Sequence, residues 1–207
     1  TWRRDYAGGY SGDMGEDPRT DVAVLDGKAY VIGAMADFGP FSIRVVDVAD
    51  PSHPWGIGVA GVPAWWADCA QFELRIAAGD GRLYVPGIYN GLLAYEPLAP
   101  EPENAPLVLA AQAAGATHAL AAAGTHLYVG RGPRVLAYDL TDPDAPVELG
   151  RSAILPGVVA DLAVVGQTAY AATYRGLLVL DVADPTRPTV IGTVDVGPVM
   201  PTDVVVS

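Results

Sequence analysis

Apolar residues in this chain come in short, strand-length runs separated by glycine, proline and aspartate. The runs recur in a fixed order. One phrase appears as "DVAVLDGKAYV" from residue 21, "RIAAGDGRLYV" from 75, "ALAAAGTHLYV" from 119 and "DLAVVGQTAYA" from 161. A second follows each: "IRVVDVADPSHPWGIGV" (43–59), the looser "GLLAYEPLAPEPENAPLVLAA" (91–111), "RVLAYDLTDPDAPVELG" (134–150) and "GLLVLDVADPTRPTVIG" (176–192). The aligned tyrosines Tyr30, Tyr84, Tyr128 and Tyr170 lie 54, 44 and 42 residues apart. "TDVVVS" (202–207) opens a fifth copy, with Asp203 standing 42 residues after Asp161.

A period near 42 with four runs per unit predicts a four-stranded antiparallel blade, and the series predicts an all-β fold, a β-propeller. The first run of each unit ends at a glycine-containing turn (Asp26-Gly27, Asp80-Gly81, Gly124-Thr125, Gly166-Gln167), which predicts a hairpin. The third run ends in Asp47, Asp139 or Asp181, and a turn of Asp-Pro type follows. The second proline of that turn (Pro54, Pro106, Pro146, Pro188) opens the fourth run. Proline donates no ladder hydrogen bond, so the fourth strand is expected at the outer edge. The alanine-rich stretch 109–123 has helical propensity, but it aligns with strands in the other copies and is read as strand. These features predict an extended N-terminal segment (1–19), then blades at about 20–60, 74–115, 118–157 and 160–198, with a fifth begun at 202–207.

"LLVLDVADPTRP" and "IRVVDVADPSHP" resemble the LVIVD repeat, the motif of a family of bacterial and archaeal β-propellers. The resemblance spans roughly residues 20–207. It weakens in the second copy, where Glu96 stands in place of the aspartate and "PLAPEPENAP" in place of the short turn. It implies a secreted or surface-associated propeller (extracytoplasmic, periplasmic or on the cell surface) that works as an interaction or scaffold module. It brings no catalytic motif with it. Four complete copies plus one strand do not make an obviously closed ring. A longer natural chain or assembly segment forming part of a larger ring, an oligomer covering the open edge, and a four-bladed ring capped by its tail all remain open.

Charge narrows the partners. Twenty-four acidic residues against twelve basic ones give a net charge of −12, opposite in sign to what a backbone-tracking nucleic-acid binder or a reader of anionic membranes needs. Other proteins or assembly subunits are the expected partners, and a homo-oligomer is compatible. The single Cys69 excludes an internal disulfide and a multi-cysteine zinc site. The most apolar stretch, 106–124, is interrupted by Gln112, Gly115, Thr117 and His118, and no transmembrane segment is expected.

Candidate chemistry is sparse. The opening position of each first strand is held by Asp21, Arg75, Ala119, Asp161 and Asp203, with His118 just before Ala119. First strands line a propeller's channel, so these side chains are expected near its mouth. They could bind a cation or polar ligand, or supply the acid–base chemistry of a hydrolase or lyase. The alternative is that each aspartate accepts hydrogen bonds from neighbouring amides and joins adjacent blades. Two insertions, "GAMADFGPFS" (33–42) and "GVPAWWADCAQFE" (61–73), interrupt the first part of the array, and all four tryptophans precede residue 67. Phe38, Trp55, Trp65 and Trp66 are therefore candidates for a partner-binding surface. The Trp65-Trp66 pair also suits a sugar-stacking platform, or a plug for the channel or an inter-blade gap. No cofactor is expected. Calcium could be held by Asp13, Glu16 and Asp17 in "SGDMGED", though that segment lacks calcium-loop spacing. "GIGVAG" (56–61) matches a dinucleotide fingerprint but sits in an expected outer strand with no helix after it.

Overall fold

The computed structural model describes residues 21–33, 42–61, 75–87, 91–97, 109–113, 117, 119–196 and 203–206. The described residues contain strands and no helix, grouped in four antiparallel sheets. Sheet I is β1 (Asp21–Leu25), β2 (Lys28–Gly33), β3 (Ser42–Asp47) and β4 (Trp55–Gly61). Sheet II is β5 (Ala77–Gly79), β6 (Arg82–Gly87), β7 (Gly91–Tyr95) and β8 (Leu109–Ala113). Sheet III is β9 (Ala119–Ala123), β10 (His126–Gly130), β11 (Val135–Asp139) and β12 (Val147–Arg151). Sheet IV is β13 (Val159–Val165), β14 (Thr168–Thr173), β15 (Gly176–Asp181) and β16 (Thr189–Val194). Within each sheet the strands pair in chain order, so the fourth strand is an edge, as its proline requires. The alanine-rich stretch forms β8 and β9, its helical propensity overridden by ladder pairing with neighbours on either side.

Local chemistry accounts for the turns. Asp26 and Gly27 both have positive φ (50° and 71°), as do Asp80 and Gly81 (47° and 76°). That double left-handed step matches the right-handed twist of two antiparallel strands. The recurrent Asp-Pro phrase is a two-stage cap. Asp47, Asp139 and Asp181 accept hydrogen bonds from the amides two residues on, of Ala49, Thr141 and Ala183. Asp50, Asp142 and Asp184 then do the same for Ser52, Asp144 and Thr186. The turn closes through the carbonyls of those second aspartates, which accept from the amides of His53, Ala145 and Arg187. Proline sets φ for the first central residue, and the carboxylate holds an amide that would otherwise have only solvent. Six of the chain's twenty-four acidic residues are thereby turn structure.

One regular feature has no obvious sequence flag. The register between the third and fourth strands slips at the same point in all four sheets, between Val45 and Val46, Ala94 and Tyr95, Ala137 and Tyr138, and Val179 and Leu180. The unpaired residue of the fourth strand is Ile57, Ala110, Leu149 or Ile191. A bulge strengthens local twist and re-aims the outer strand. Gly150, beside the bulge in β12, is required for another reason. A Cβ there would overlap the carbonyl oxygen of Thr186 in the β15–β16 turn of the next sheet.

The core consists of three layers between successive sheets. Tyr30, Ile32, Ile43 and Val45 of sheet I meet Leu83, Val85, Leu93 and Tyr95 of sheet II. Tyr84, Leu92 and Ala94 on the other side of sheet II meet Leu120, Leu127, Leu136 and Leu140 of sheet III. Tyr128, Val135 and Ala137 of sheet III meet Leu162, Ala171, Leu178 and Val182 of sheet IV. Burying each large side chain contributes on the order of 1.5–3 kcal/mol, so these layers are what holds the series together. The repeated tyrosine is the wedge: Tyr30, Tyr84 and Tyr128 are buried against the following sheet, and Tyr128 Oη donates to the Val182 carbonyl at 3.4 Å. Tyr170, its equivalent in sheet IV, is only half-buried. The first strands stand side by side, β1 against β5, β5 against β9 and β9 against β13, in a propeller-like repeat fold.

Candidate functional site

Alternation places every other residue of a strand on one side of its sheet. In β1 that side carries Asp21 and Ala23, and Ala23 packs in the layer facing sheet II. In β13 it carries Asp161, opposite in sense to Leu162, which faces sheet III. Both carboxylates therefore point toward the following member of the series. Asp21 Oδ2 accepts a hydrogen bond from the Ile76 amide of the chain entering sheet II at 2.9 Å, and Oδ1 one from Val22 at 2.8 Å. Asp161 repeats the bond in sheet IV: its Oδ2 accepts from the Val204 amide at 2.8 Å. The Val204 amide thus stands to Asp161 as the Ile76 amide stands to Asp21.

Convergence of the first strands then joins residues far apart in sequence. Arg75 Nε lies 3.3 Å from Asp161 Oδ1, spanning from sheet II to sheet IV. Asp203 hydrogen-bonds to Asp161, and its charge also reaches Asp21. Four of the sequence-predicted residues, Asp21, Arg75, Asp161 and Asp203, are thereby brought together. Ala119 occupies the fifth position without charge, and His118 lies outside the described residues.

The electrostatics follow from burial and from the shared proton. Asp161 is 6% exposed, and burial pushes its carboxyl up to about 7, reinforced by the hydrogen bond to Asp203; the Val204 amide and Arg75 oppose the shift. Asp203 moves the other way, held below the ordinary carboxylate value chiefly by that same bond. Asp21 is raised by burial, with the Ile76 and Val22 amides and then Arg75 pulling it back. A carboxyl near 7 can exchange protons at neutral pH. Here, however, both oxygens of Asp161 are engaged, one toward Arg75 and one on a backbone amide. Among the described residues no three His, Cys, Asp or Glu side chains are placed to hold a metal ion.

Of the partner-surface candidates, Trp55 opens β4 opposite Asp47 and is 54% exposed. Phe38, Trp65 and Trp66 lie outside the described residues, as do Asp13, Glu16 and Asp17. The "GIGVAG" segment is strand β4, so it cannot present a helix N-terminus to a pyrophosphate. No helix among the described residues is long and apolar enough to cross a membrane.

Residues 156–196 match the model of the LVIVD repeat. They comprise sheet IV with its Asp-Pro turn, one of the three copies in which the sequence resemblance is strong. No curated protein matches the chain. Solved structures do. A protein of unknown function from Desulfotomaculum acetoxidans is 13% identical, with a TM-score of 0.62 over 84% of this chain and 55% of its own. A Bacteroides uniformis protein described as a candidate 6-phosphogluconolactonase is 12% identical, with a TM-score of 0.58 over 87% of this chain and 57% of its own. The computationally designed Ika8 protein is 13% identical, with a TM-score of 0.53 over 80% of this chain and 46% of its own. The chain thus spans about half the length of these structures. At such identities the likeness concerns the fold alone.

Sequence reasoning did not single out the amides of Ile76 and Val204. The available signal was positional: each follows the opening residue of a first strand. Nor did it identify Glu148, which lies 3.3 Å from Arg131 and 2.5 Å from Arg151. Glu148 and Arg151 share strand β12, and the pairing of β11 with β12 brings Arg131, in the β10–β11 turn, to them.

Proposed function

We propose that the chain is a segment of an LVIVD-repeat β-propeller that serves, outside the cytoplasm, as a non-enzymatic module for protein interaction or assembly. The observation that carries this reading is the use made of the central charges. One oxygen of Asp21 and one of Asp161 accept from the amides of Ile76 and Val204, while the other oxygens lie on the Val22 amide and toward Arg75, which suits them to joining sheets. Exposed Trp55 is a large apolar anchor of the kind that interfaces favour.

The unfilled faces support a larger ring. Val22 and Val24 are 55% and 61% exposed, whereas their equivalents Leu162 and Val164 pack against sheet III. At the other end Val165 is 53% exposed, whereas its equivalent Leu25 packs against sheet II. Each exposed valine occupies a position that the repeat covers wherever a neighbouring sheet is present. A further repeat on the outer face of sheet IV would cover Val165, and the reading is supported by the Val204 amide meeting Asp161 as the Ile76 amide meets Asp21.

Native mass spectrometry on the protein taken gently from its own source tests the interaction reading. The expected result is a mass that includes other polypeptides, lost when Trp55, Trp65 and Trp66 are replaced by alanine with the melting temperature unchanged. A lone chain sinks the proposal, and loss of binding to a glycan panel in the same variant would reassign the surface to carbohydrate. One observation favours a second reading: the Asp161 carboxyl near 7 beside Arg75 is the kind of perturbed pair that acid–base enzymes use. Hydrolase or lyase turnover abolished by Asp161→Asn, in a variant that still folds, would establish it.

A further inference from the structure

We propose that Asp161 and Asp203 form a proton-dependent clasp that holds residues 203–206 against sheet IV in acid and loosens toward neutral pH. The inference rests on the sheet-joining role of Asp161 and is independent of which partner the module binds.

The geometry comes from comparing two junctions on one plan. At the first, Asp21 accepts from the Ile76 amide, and the residue before Ile76 is Arg75, a cation. At the second, Asp161 accepts from the Val204 amide, and the residue before Val204 is Asp203, an acid. The repeat places these preceding residues close to the accepting carboxylate in both cases. An arginine there satisfies the carboxylate at any pH below its own titration. An aspartate there meets the carboxylate without repulsion only while the pair shares a proton, held by Asp161, because two ionised carboxylates a hydrogen bond apart repel each other.

Arg75 takes part at both junctions, since its Nε lies 3.3 Å from Asp161 Oδ1. The charged groups facing the pair are therefore Arg75 before β5, Asp21 on β1, and Asp161 and Asp203 themselves; β9 presents Ala119 there. His118, beside it, lies outside the described residues. One guanidinium against three carboxyls leaves an excess of acid in a site where Asp161 is buried. Retaining one proton is how the site relieves that excess.

The direction of the pH response follows. Asp161 is raised from 3.8 to about 7 when the clasp is closed, and Asp203 is lowered. Burial is the first cause of that rise and the bond to Asp203 the second, so opening gives up the part that residues 203–206 supply, and the closed pair binds its proton more tightly than the open one. Closure is therefore strongest near pH 4, weakens by up to about tenfold per pH unit, and levels off above 7. Asp21 is raised too, but by burial without a shared proton, so the Ile76 junction responds less.

Hydrogen exchange at the Val204 amide tests the clasp, expressed as a protection factor so that the intrinsic pH dependence of exchange is divided out. In the full chain, protection at Val204 is expected to fall ten- to a hundredfold from pH 5 to pH 7.5, with a smaller fall at Ile76. Asp203→Asn supplies an amide donor that needs no proton. Because residue 203 is exposed, this variant should fold as the parent does, checked by far-ultraviolet circular dichroism, and Val204 should stay protected at both pH values. Equal protection at pH 5 and 7.5 in the parent overturns the proposal. So does absence of protection at both, or an Asp203→Asn variant that keeps the parent's pH dependence. Partner capture by mass spectrometry is unaffected by any of these results, so the two proposals fail separately.

Discussion

The junction between sheets I and II and the junction begun on the outer face of sheet IV share a carboxylate, an amide and a spacing, yet differ in two respects. The first is filled: Asp21 sits above a packed layer of Tyr30, Ile32, Leu83 and Tyr95. The second has its polar clasp, Asp161 to Val204, while Val165, Ile191 and Val194 on sheet IV stay exposed. The first also has Arg75 where the second has Asp203. The difference teaches that a repeat protein can specify where a neighbour goes through one hydrogen bond, while the apolar layer that supplies most of the adhesion is provided separately.

Glycine substitutions test the contrast between filled and open faces most severely. Gly150→Ala drives a Cβ into the Thr186 carbonyl, and backbone cannot step aside cheaply, so a loss of about 3 kcal/mol or more is expected in chemical denaturation. Gly192 occupies the same place in β16, but an added Cβ there meets only Val179 at ordinary contact distance. Gly192→Ala should change stability by less than about 0.5 kcal/mol in this chain. If the same substitution becomes costly in a form carrying the next repeat, that repeat packs on sheet IV.

Removing the clasp of the filled junction comes next. Asp21→Ala leaves the Ile76 amide without its acceptor at a partly buried site, a loss of about 1–3 kcal/mol readable as a lowered melting temperature. If Asp21→Asn recovers most of the loss, the hydrogen bond matters there more than the charge. The tyrosine wedges should show the smallest effects. Tyr128→Phe gives up a long bond to Val182 and should cost about 0.5–1 kcal/mol. Tyr84 Oη is buried with no hydrogen-bond partner among the described residues, and burial pushes its ionisation up to about 12. Tyr84→Phe is therefore expected to be neutral or slightly stabilising. Equal losses at the two positions would mean that the hydroxyl at Tyr84 is satisfied in solution.

Much of this molecule was legible before any coordinate. The period near 42 located the strands, the Asp-Gly and Asp-Pro turns located their ends, and the prolines identified the outer edge. These are local effects, in which φ preferences and side-chain caps act over two to four residues. The first-strand position was legible too, because alignment of the copies placed Asp21, Arg75, Asp161 and Asp203 in one column. Less legible were the bulge in every third–fourth strand pair and the need for glycine at 150. Both depend on how close a neighbouring sheet comes, and no residue in the same strand records that.

The sequence by itself determined the blade unit, its turns and the family resemblance, because each rests on short-range chemistry repeated along the chain. Tertiary structure alone decided that Arg75 of the second copy meets Asp161 of the fourth, that Asp203 shares a hydrogen bond with it, and that Val22, Val24 and Val165 remain uncovered. The reason is geometric: first strands converge at one place, so charges separated by scores of residues become neighbours in a setting where burial, rather than sequence distance, sets their energies.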